Sequence, residues 1–224
     1  MAKSGGNHAP VIVIGLGRFG SSVARSLLHL GHDVLAVDER PEIVQKFSDD
    51  FTHVVAADAT DTEALRQIGA EQFDRAVIGI GTDIEASVLT VLSVVELGIE
   101  EVWAKAISAK HARILESVGA HHVIRPESAM GERVAHMVTG AMIDYIEFDD
   151  GFAIARTRAP EVSWDHTLEE TGLRQKYGIT VVGVKRRGED FTYAQPETSI
   201  EKSDELIVCG ATQKVESFCA LTHS

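Results

Sequence analysis

Three glycines at fixed spacing carry the first legible chemistry. Gly15-Leu16-Gly17-Arg18-Phe19-Gly20 reads G-x-G-x-x-G. The motif follows the apolar, β-rich run 11–14 and opens a segment of helical periodicity, with Val23, Leu27 and Leu30 on one side. In that context each glycine has a physical task. Gly15 makes the tight turn, Gly17 lets a phosphate approach the backbone, and Gly20 lets the helix pack close on the strand. The free N–H groups at the helix start then favour an anion. Asp38 ends the next apolar run, eighteen residues after Gly20, where a carboxylate accepts ribose hydroxyls. Arg18 stands inside the turn, within reach of terminal phosphates; the competing reading is a solvated surface arginine. Asp58, in Asp58-Ala59-Thr60, follows the third apolar run. It reads equally as a ligand contact and as the cap of a helix starting near Thr62.

Other chemistries are missing. A P-loop needs a lysine after the sixth position, and the chain has Ser21-Ser22 there. The Tyr-x-x-x-Lys pair of short-chain dehydrogenases fails at Tyr145, Tyr177 and Tyr193, which are followed four residues on by Asp149, Val181 and Glu197. No G-x-S-x-G elbow occurs. The ten histidines are scattered, and the adjacent His121 and His122 point to opposite faces of a strand. Cys209 and Cys219 make no disulfide framework and read as reduced thiols. A nucleotide site without reaction chemistry suits a sensor rather than an enzyme, because unequal binding to two states is all a sensor needs. The alternatives are a small NAD-dependent oxidoreductase and a stand-alone redox sensor.

These residues need elements to hold them. Apolar runs at 11–14, 34–37, 53–57, 75–80, 102–106 and 123–124 alternate with helical patterns. Repeated βαβ order predicts an α/β fold with a Rossmann-like, doubly wound parallel sheet over 9–126. Residues 127–143 read as one long crossover helix, with Met130, Val134, Val138 and Ala141 on one face. Residues 144–224 read as a small α+β domain, with strands at 145–148, 152–157, 179–184 and 205–209, a turn at Asp149-Asp150-Gly151, and helices at 168–176 and 212–221. Residues 1–8 read as a flexible amino terminus without the apolar stretch of a secretory signal.

Composition agrees with a globular chain: 44% apolar and 25% charged residues, with five prolines among 224 residues. The net charge is −13 and both halves are acidic, which argues against a nucleic-acid partner. The longest apolar-rich stretch, 87–99, is too short to span a bilayer, so a role at a membrane requires a partner.

The stretches 11–20 and 31–38 resemble the amino-terminal domain of the RCK (regulator of potassium conductance) family, of the KtrA/TrkA type. So do Ala57-Asp58-Ala59-Thr60, Trp103-Ala104-Lys105-Ala106 and Pro126-Glu127-Ser128-Ala129-Met130-Gly131. Leu173-Arg174-Gln175-Lys176-Tyr177-Gly178, Pro196 and Asp204-Glu205-Leu206 resemble its carboxyl-terminal domain. The resemblance implies a cytoplasmic gating subunit of a potassium uptake system. It implies homodimers assembling into a ring, commonly an octamer, beneath a separate potassium-translocating membrane subunit. ATP and ADP, or NAD(H), are expected at Gly15, Leu16, Gly17, Arg18, Phe19, Gly20, Asp38, Glu39, Asp58, Ala59 and Thr60, with Lys105 near the phosphates. Glu127 matches a glutamate that helps bind a cation, divalent or sodium; the bland reading is an acid at a helix start. Arg174 matches an arginine near a cyclic di-AMP site of some relatives.

Overall fold

The computed structural model describes residues 9–223 apart from Thr139 and Asp149, with the main chain alone for His223. The expected flexible segment 1–8 and the first residue of the Asp149-Asp150-Gly151 turn lie outside the described residues. The chain divides into two compact units between Glu127 and Ser128.

The first unit is a six-stranded parallel sheet. Its strands are β1 (Val11–Ile14), β2 (Val34–Asp38), β3 (His53–Ala56), β4 (Arg75–Ile78), β5 (Glu101–Lys105) and β6 (His122–Ile124), in spatial order β3-β2-β1-β4-β5-β6. Val11 pairs with Val34 on one side and Arg75 on the other. Chain order therefore reverses between β1 and β4, and the carboxyl ends of those strands flank the crevice where such sheets bind ligands. Every residue of β1 and β2 is buried, because helices cover both faces. Val11, Val13, Val34 and Ala36 pack with Ala24 of α1 (Arg18–His29) and Phe47 of α2 (Pro41–Phe47). On the other face Ile12, Ile14, Val37 and Ile78 form one cluster with residues of three helices. These are Leu65 of α3 (Thr62–Gln67), Val91 and Val94 of α4 (Ile84–Glu96), and Leu115 of α5 (Ala109–Ser117). Fully burying side chains of this size contributes about 1.5–3 kcal/mol each.

The next helix corrects the expectation for residues 127–143: α6 spans Pro126–Val138 and stops there. Gly140 takes a left-handed φ of +77°, the backbone state that ends helices, and its N–H donates to the Met137 carbonyl. The residues beyond are taken by the second unit's core. Met142 is buried, the Ala141 carbonyl accepts Thr157 Oγ1, and Ile143 N–H donates to Arg156.

The second unit is a five-stranded antiparallel sheet in the order β11-β10-β13-β8-β7. It comprises β7 (Asp144–Phe148), β8 (Phe152–Arg158), β10 (Thr180–Lys185), β11 (Phe191–Tyr193) and β13 (Glu205–Ala211), and α9 (Thr212–Ala220) follows. Tyr145, Ala153, Ala155, Leu206 and Val208 point into a core with Val215, Phe218 and Cys219 of α9. The expected helix over 168–176 is two short turns, α7 (Leu168–Thr171) and α8 (Leu173–Tyr177), broken at Gly172, where φ is +60°. The sequence reading lacks β11 and the small pair β9 (His166–Thr167) and β12 (Ser199–Ile200), which are too short to show a period. Among the described residues no helix is long and apolar enough to cross a membrane.

Candidate functional site

The glycine turn sits at the β1/β4 reversal. Gly15 adopts φ +88°, and a Cβ there would meet Ile80 at 3.0 Å. A Cβ on Gly20 would lie 1.9 Å from the Gly15 carbonyl oxygen, so only glycine lets α1 start this close to β1. Gly17 differs: a Cβ there would meet nothing within 4 Å. This is the open floor that a phosphate needs.

The start of α1 differs from those of α3, α4 and α5. Asp61, Asp83 and Ser108 accept main-chain N–H groups at the starts of α3, α4 and α5. Helix α1 has no side-chain cap and no acid in its first turn. Its unsatisfied N–H groups and positive dipole end are left for an anion. Leu16 is buried beneath the turn and Phe19 half-buried; Arg18 is exposed.

Asp38 is buried, and its carboxylate already works. Oδ2 accepts the Leu16 N–H at 2.8 Å, tying β2 to the turn. Oδ1 accepts Arg40 N–H and Arg40 Nε, both at 3.1 Å. The Asp38 hydrogen bond, then its charge, holds the Arg40 guanidinium above its usual pKa. Glu39 is exposed beside them.

On the far side of the reversal, Lys105 ends β5 with its side chain mostly buried. Its Nζ donates to Glu127 Oε1 at 2.6 Å and stands 5.7 Å from the Phe19 ring centroid. It also lies against Gly81, whose Cβ position is 3.5 Å from Nζ. The Lys105 hydrogen bond, then Glu127's own backbone N–H, lowers the Glu127 pKa, and the charges of Lys105 and Arg18 add to this. Arg18, Phe19, Lys105 and Glu127 thus form one charged rim beside the glycine turn. Glu127 opens α6 as an acid paired with a base. Among the described residues, no three His, Cys, Asp or Glu side chains gather as a metal site.

Asp58 resolves differently from the cap reading. Asp61 caps α3, accepting the Glu63 N–H. Asp58 instead folds onto Thr60, accepting its N–H at 2.9 Å and its hydroxyl at 2.7 Å; the hydroxyl, then the N–H, lowers the Asp58 pKa. Ala59 is buried between them, and Ala57 N–H donates to the Asp38 carbonyl, so this turn edges the same crest. Arg174 belongs to the other unit, exposed on the five-residue α8.

Two features escaped the sequence reading. Gly79 packs so close that a Cβ would lie 2.9 Å from the Gly15 carbonyl oxygen and 3.2 Å from Gly20 Cα. Its signal was the Gly79-Ile80-Gly81 run directly after a strand. Arg40 was the other, two residues beyond Asp38, where a guanidinium reaches back to the acid.

Residues 11–126, more than half of the chain, match the TrkA-N domain model, and residues 162–223 match the TrkA-C domain model. The Ktr system potassium uptake protein A of Bacillus subtilis is 35% identical over 207 residues, covering 92% of this chain and 93% of that protein. The crystal structure of the GsuK RCK domain superposes with a TM-score of 0.66 at 19% identity, covering all of this chain and 49% of that one. The GsuK channel bound to NAD gives a TM-score of 0.63 at 19% identity, over 99% of this chain and 40% of that one. The chain belongs to the family of TrkA-N/TrkA-C potassium uptake proteins.

Proposed function

We propose that this chain is a nucleotide-sensing regulatory subunit that gates a separate potassium-translocating membrane protein. The observation carrying the reading is the uncapped start of α1 over Gly17, set between the Asp38 carboxylate and the Arg18–Lys105–Glu127 rim. These residues fit an adenine nucleotide, ATP or ADP, with NAD(H) as the other ligand of the same shape. Gly15, Gly17 and Gly20 admit the phosphates to the N–H groups of α1. Asp38 retains an acceptor position for a ribose hydroxyl, since a carboxylate accepts about four hydrogen bonds and three are in use. Arg18 and Lys105 meet added phosphate charge.

Glu127 supports a switch. A phosphate near Lys105 competes with Glu127 for its ammonium. Glu127 opens α6, the helix that leaves the first unit, so ligand charge is coupled to that helix's first turn. A ligand that changes this pairing shifts a two-state equilibrium by its differential affinity. A released Glu127 also offers a carboxylate to a divalent or sodium ion. The family supports assembly as homodimers in a ring, with the octamer as the expected size, at the cytoplasmic face of the membrane beside the partner. Arg174 marks where cyclic di-AMP binding would be tested.

The test is thermal unfolding of the full chain with ATP, ADP, NADH and cyclic di-AMP. A ligand at about 100 times its dissociation constant adds ~2.7 kcal/mol. Stabilisation by an adenine nucleotide, lost in Gly17→Val, is the expected result. No stabilisation by any of them removes the sensor reading.

A further inference from the structure

The carboxylate that reads the ribose is usually bare on its ligand side, and its charge repels a nucleotide carrying a 2′-phosphate. Here it is not bare. Asp38 is 4% exposed, and Leu16 N–H holds one of its oxygens. The other oxygen carries the Arg40 guanidinium at 3.1 Å. Among the described residues, Asp38 is the one acid within ion-pair distance of Arg40; Glu39 and Glu42 act on it only through their weaker fields. A guanidinium has five N–H donors, and Nε alone is committed here. The side chain is half exposed at the crest, so the remaining fork has the freedom to meet a ligand.

We infer that Arg40 is a specificity-determining residue, which lets this site take nucleotides bearing a 2′-phosphate as well as those with a free 2′-hydroxyl. The inference rests on the nucleotide reading above. A 2′-hydroxyl finds the acceptor position left on Asp38. A 2′-phosphate finds a planar fork suited to phosphate, with the charge of Asp38 already offset. The competing role is a brace for the turn after β2. The main-chain bonds that start α2, from Ile43 and Val44 N–H to the Arg40 carbonyl, do not need the side chain. Those bonds, and the main-chain N–H groups of Leu16 and Arg40 that hold Asp38, remain when the side chain is changed.

The test is calorimetric titration of the full chain with NADH, NADPH and ADP, using wild type, Arg40→Gln and Arg40→Lys. Wild type should bind NADH and NADPH within about tenfold of each other. Losing charge-assisted hydrogen bonds should weaken NADPH binding about tenfold to a hundredfold in Arg40→Gln, with NADH nearly unchanged. Arg40→Lys, which keeps the charge and loses the fork, should fall between. Equal weakening of both dinucleotides in Arg40→Gln assigns Arg40 a bracing role and overturns the inference. Binding of ADP or NADH without NADPH by wild type also overturns it and leaves the nucleotide reading standing. Binding of none of them removes the nucleotide reading first, and the inference with it.

Discussion

All nine residues of β1 and β2 are buried, whereas β8 in the second sheet alternates, with Ala153, Ala155 and Thr157 inside and Phe152, Ile154 and Arg156 on the other face. The first sheet is parallel and covered on both sides. The second is antiparallel and packs α9 against one side, leaving Ile146, Phe148, Phe152 and Tyr193 exposed. The two units also hold charge differently. At the crest of the first, Arg18, Arg40 and Glu127 reach the surface around the uncapped start of α1, while Asp38 is buried and Lys105 mostly buried behind them. In the second, Asp204 is fully buried and bidentate with Arg186, with Nε–Oδ1 and Nη2–Oδ2 both at 2.9 Å. A buried, satisfied pair fixes geometry, and an exposed, half-satisfied rim leaves room for a ligand to change it. That contrast is why the proposed nucleotide response is assigned to the first unit.

The largest test of that contrast is Asp204→Ala. Leaving the Arg186 guanidinium without its buried partner should destabilise the second unit by about 3 kcal/mol or more. The chain has one tryptophan in each unit, Trp103 and Trp164, so single-tryptophan variants report the two unfolding transitions separately. Loss of the Trp164 transition alone is the expected result; equal loss at Trp103 breaks the comparison. The pair also sets an acid limit. Burial by itself raises the Asp204 pKa, but the Arg186 hydrogen bonds, the Glu201 N–H and the Arg186 charge outweigh it and hold it low. A carboxyl with a depressed folded pKa stabilises above its unfolded value, near 4, and that stability fades as pH falls through the folded value. The Trp164 transition should weaken only below about pH 4.

Next in size is the contrast inside the glycine turn. Gly20→Ala puts a methyl group into main-chain atoms and should cost about 1–3 kcal/mol or more, seen as a lower urea midpoint at Trp103. Gly17→Ala meets open space and should change stability by about 1 kcal/mol or less, while cutting nucleotide-induced stabilisation. Equal stability losses would mean that Gly17 also packs and is no phosphate floor.

A smaller effect is expected at the rim. Arg18→Ala should reduce the preference for ATP over ADP by about tenfold, the worth of one charged hydrogen bond. Equal loss for both nucleotides places its contact away from the terminal phosphate.

The smallest is a pH signature of the first unit. His111 is buried, with Nδ1 accepting the Ile107 N–H and Nε2 lacking a partner among the described residues. Burial pushes its pKa below 6.5. The unfolded chain then takes up a proton that the folded chain refuses, so stability is lost as pH falls below about 6.5 and levels off under the folded value. The Trp103 transition should soften from there, well before the Trp164 transition. His111→Gln should flatten that slope.

Legibility followed the same division. β1 and β2 stood out because two-sided burial writes continuous apolar runs into the sequence, whereas β3 to β6, alternating or half-buried, were legible from shorter runs in the βαβ order. The positions of Gly15, Gly17 and Gly20 in the turn and of Asp38 at the end of β2 were legible because they follow from local spacing along one β–α–β unit. The second unit was read less well. Its β9, β11 and β12 are two or three residues long, and α7 and α8 part at a single glycine. Such pieces form because neighbours complete them.

The sequence by itself determined the parallel α/β sheet, the glycine turn at its crest and the acid at the end of β2, since each is a property of adjacent residues. Tertiary structure decided where α6 ends, because the second core claims Ala141 and Met142. It paired Lys105 with Glu127 and Asp38 with both Leu16 and Arg40. Of these contacts, Asp38–Leu16 and Lys105–Glu127 join residues about twenty apart in sequence that sit on different elements, and only the packed sheet brings those elements to one edge.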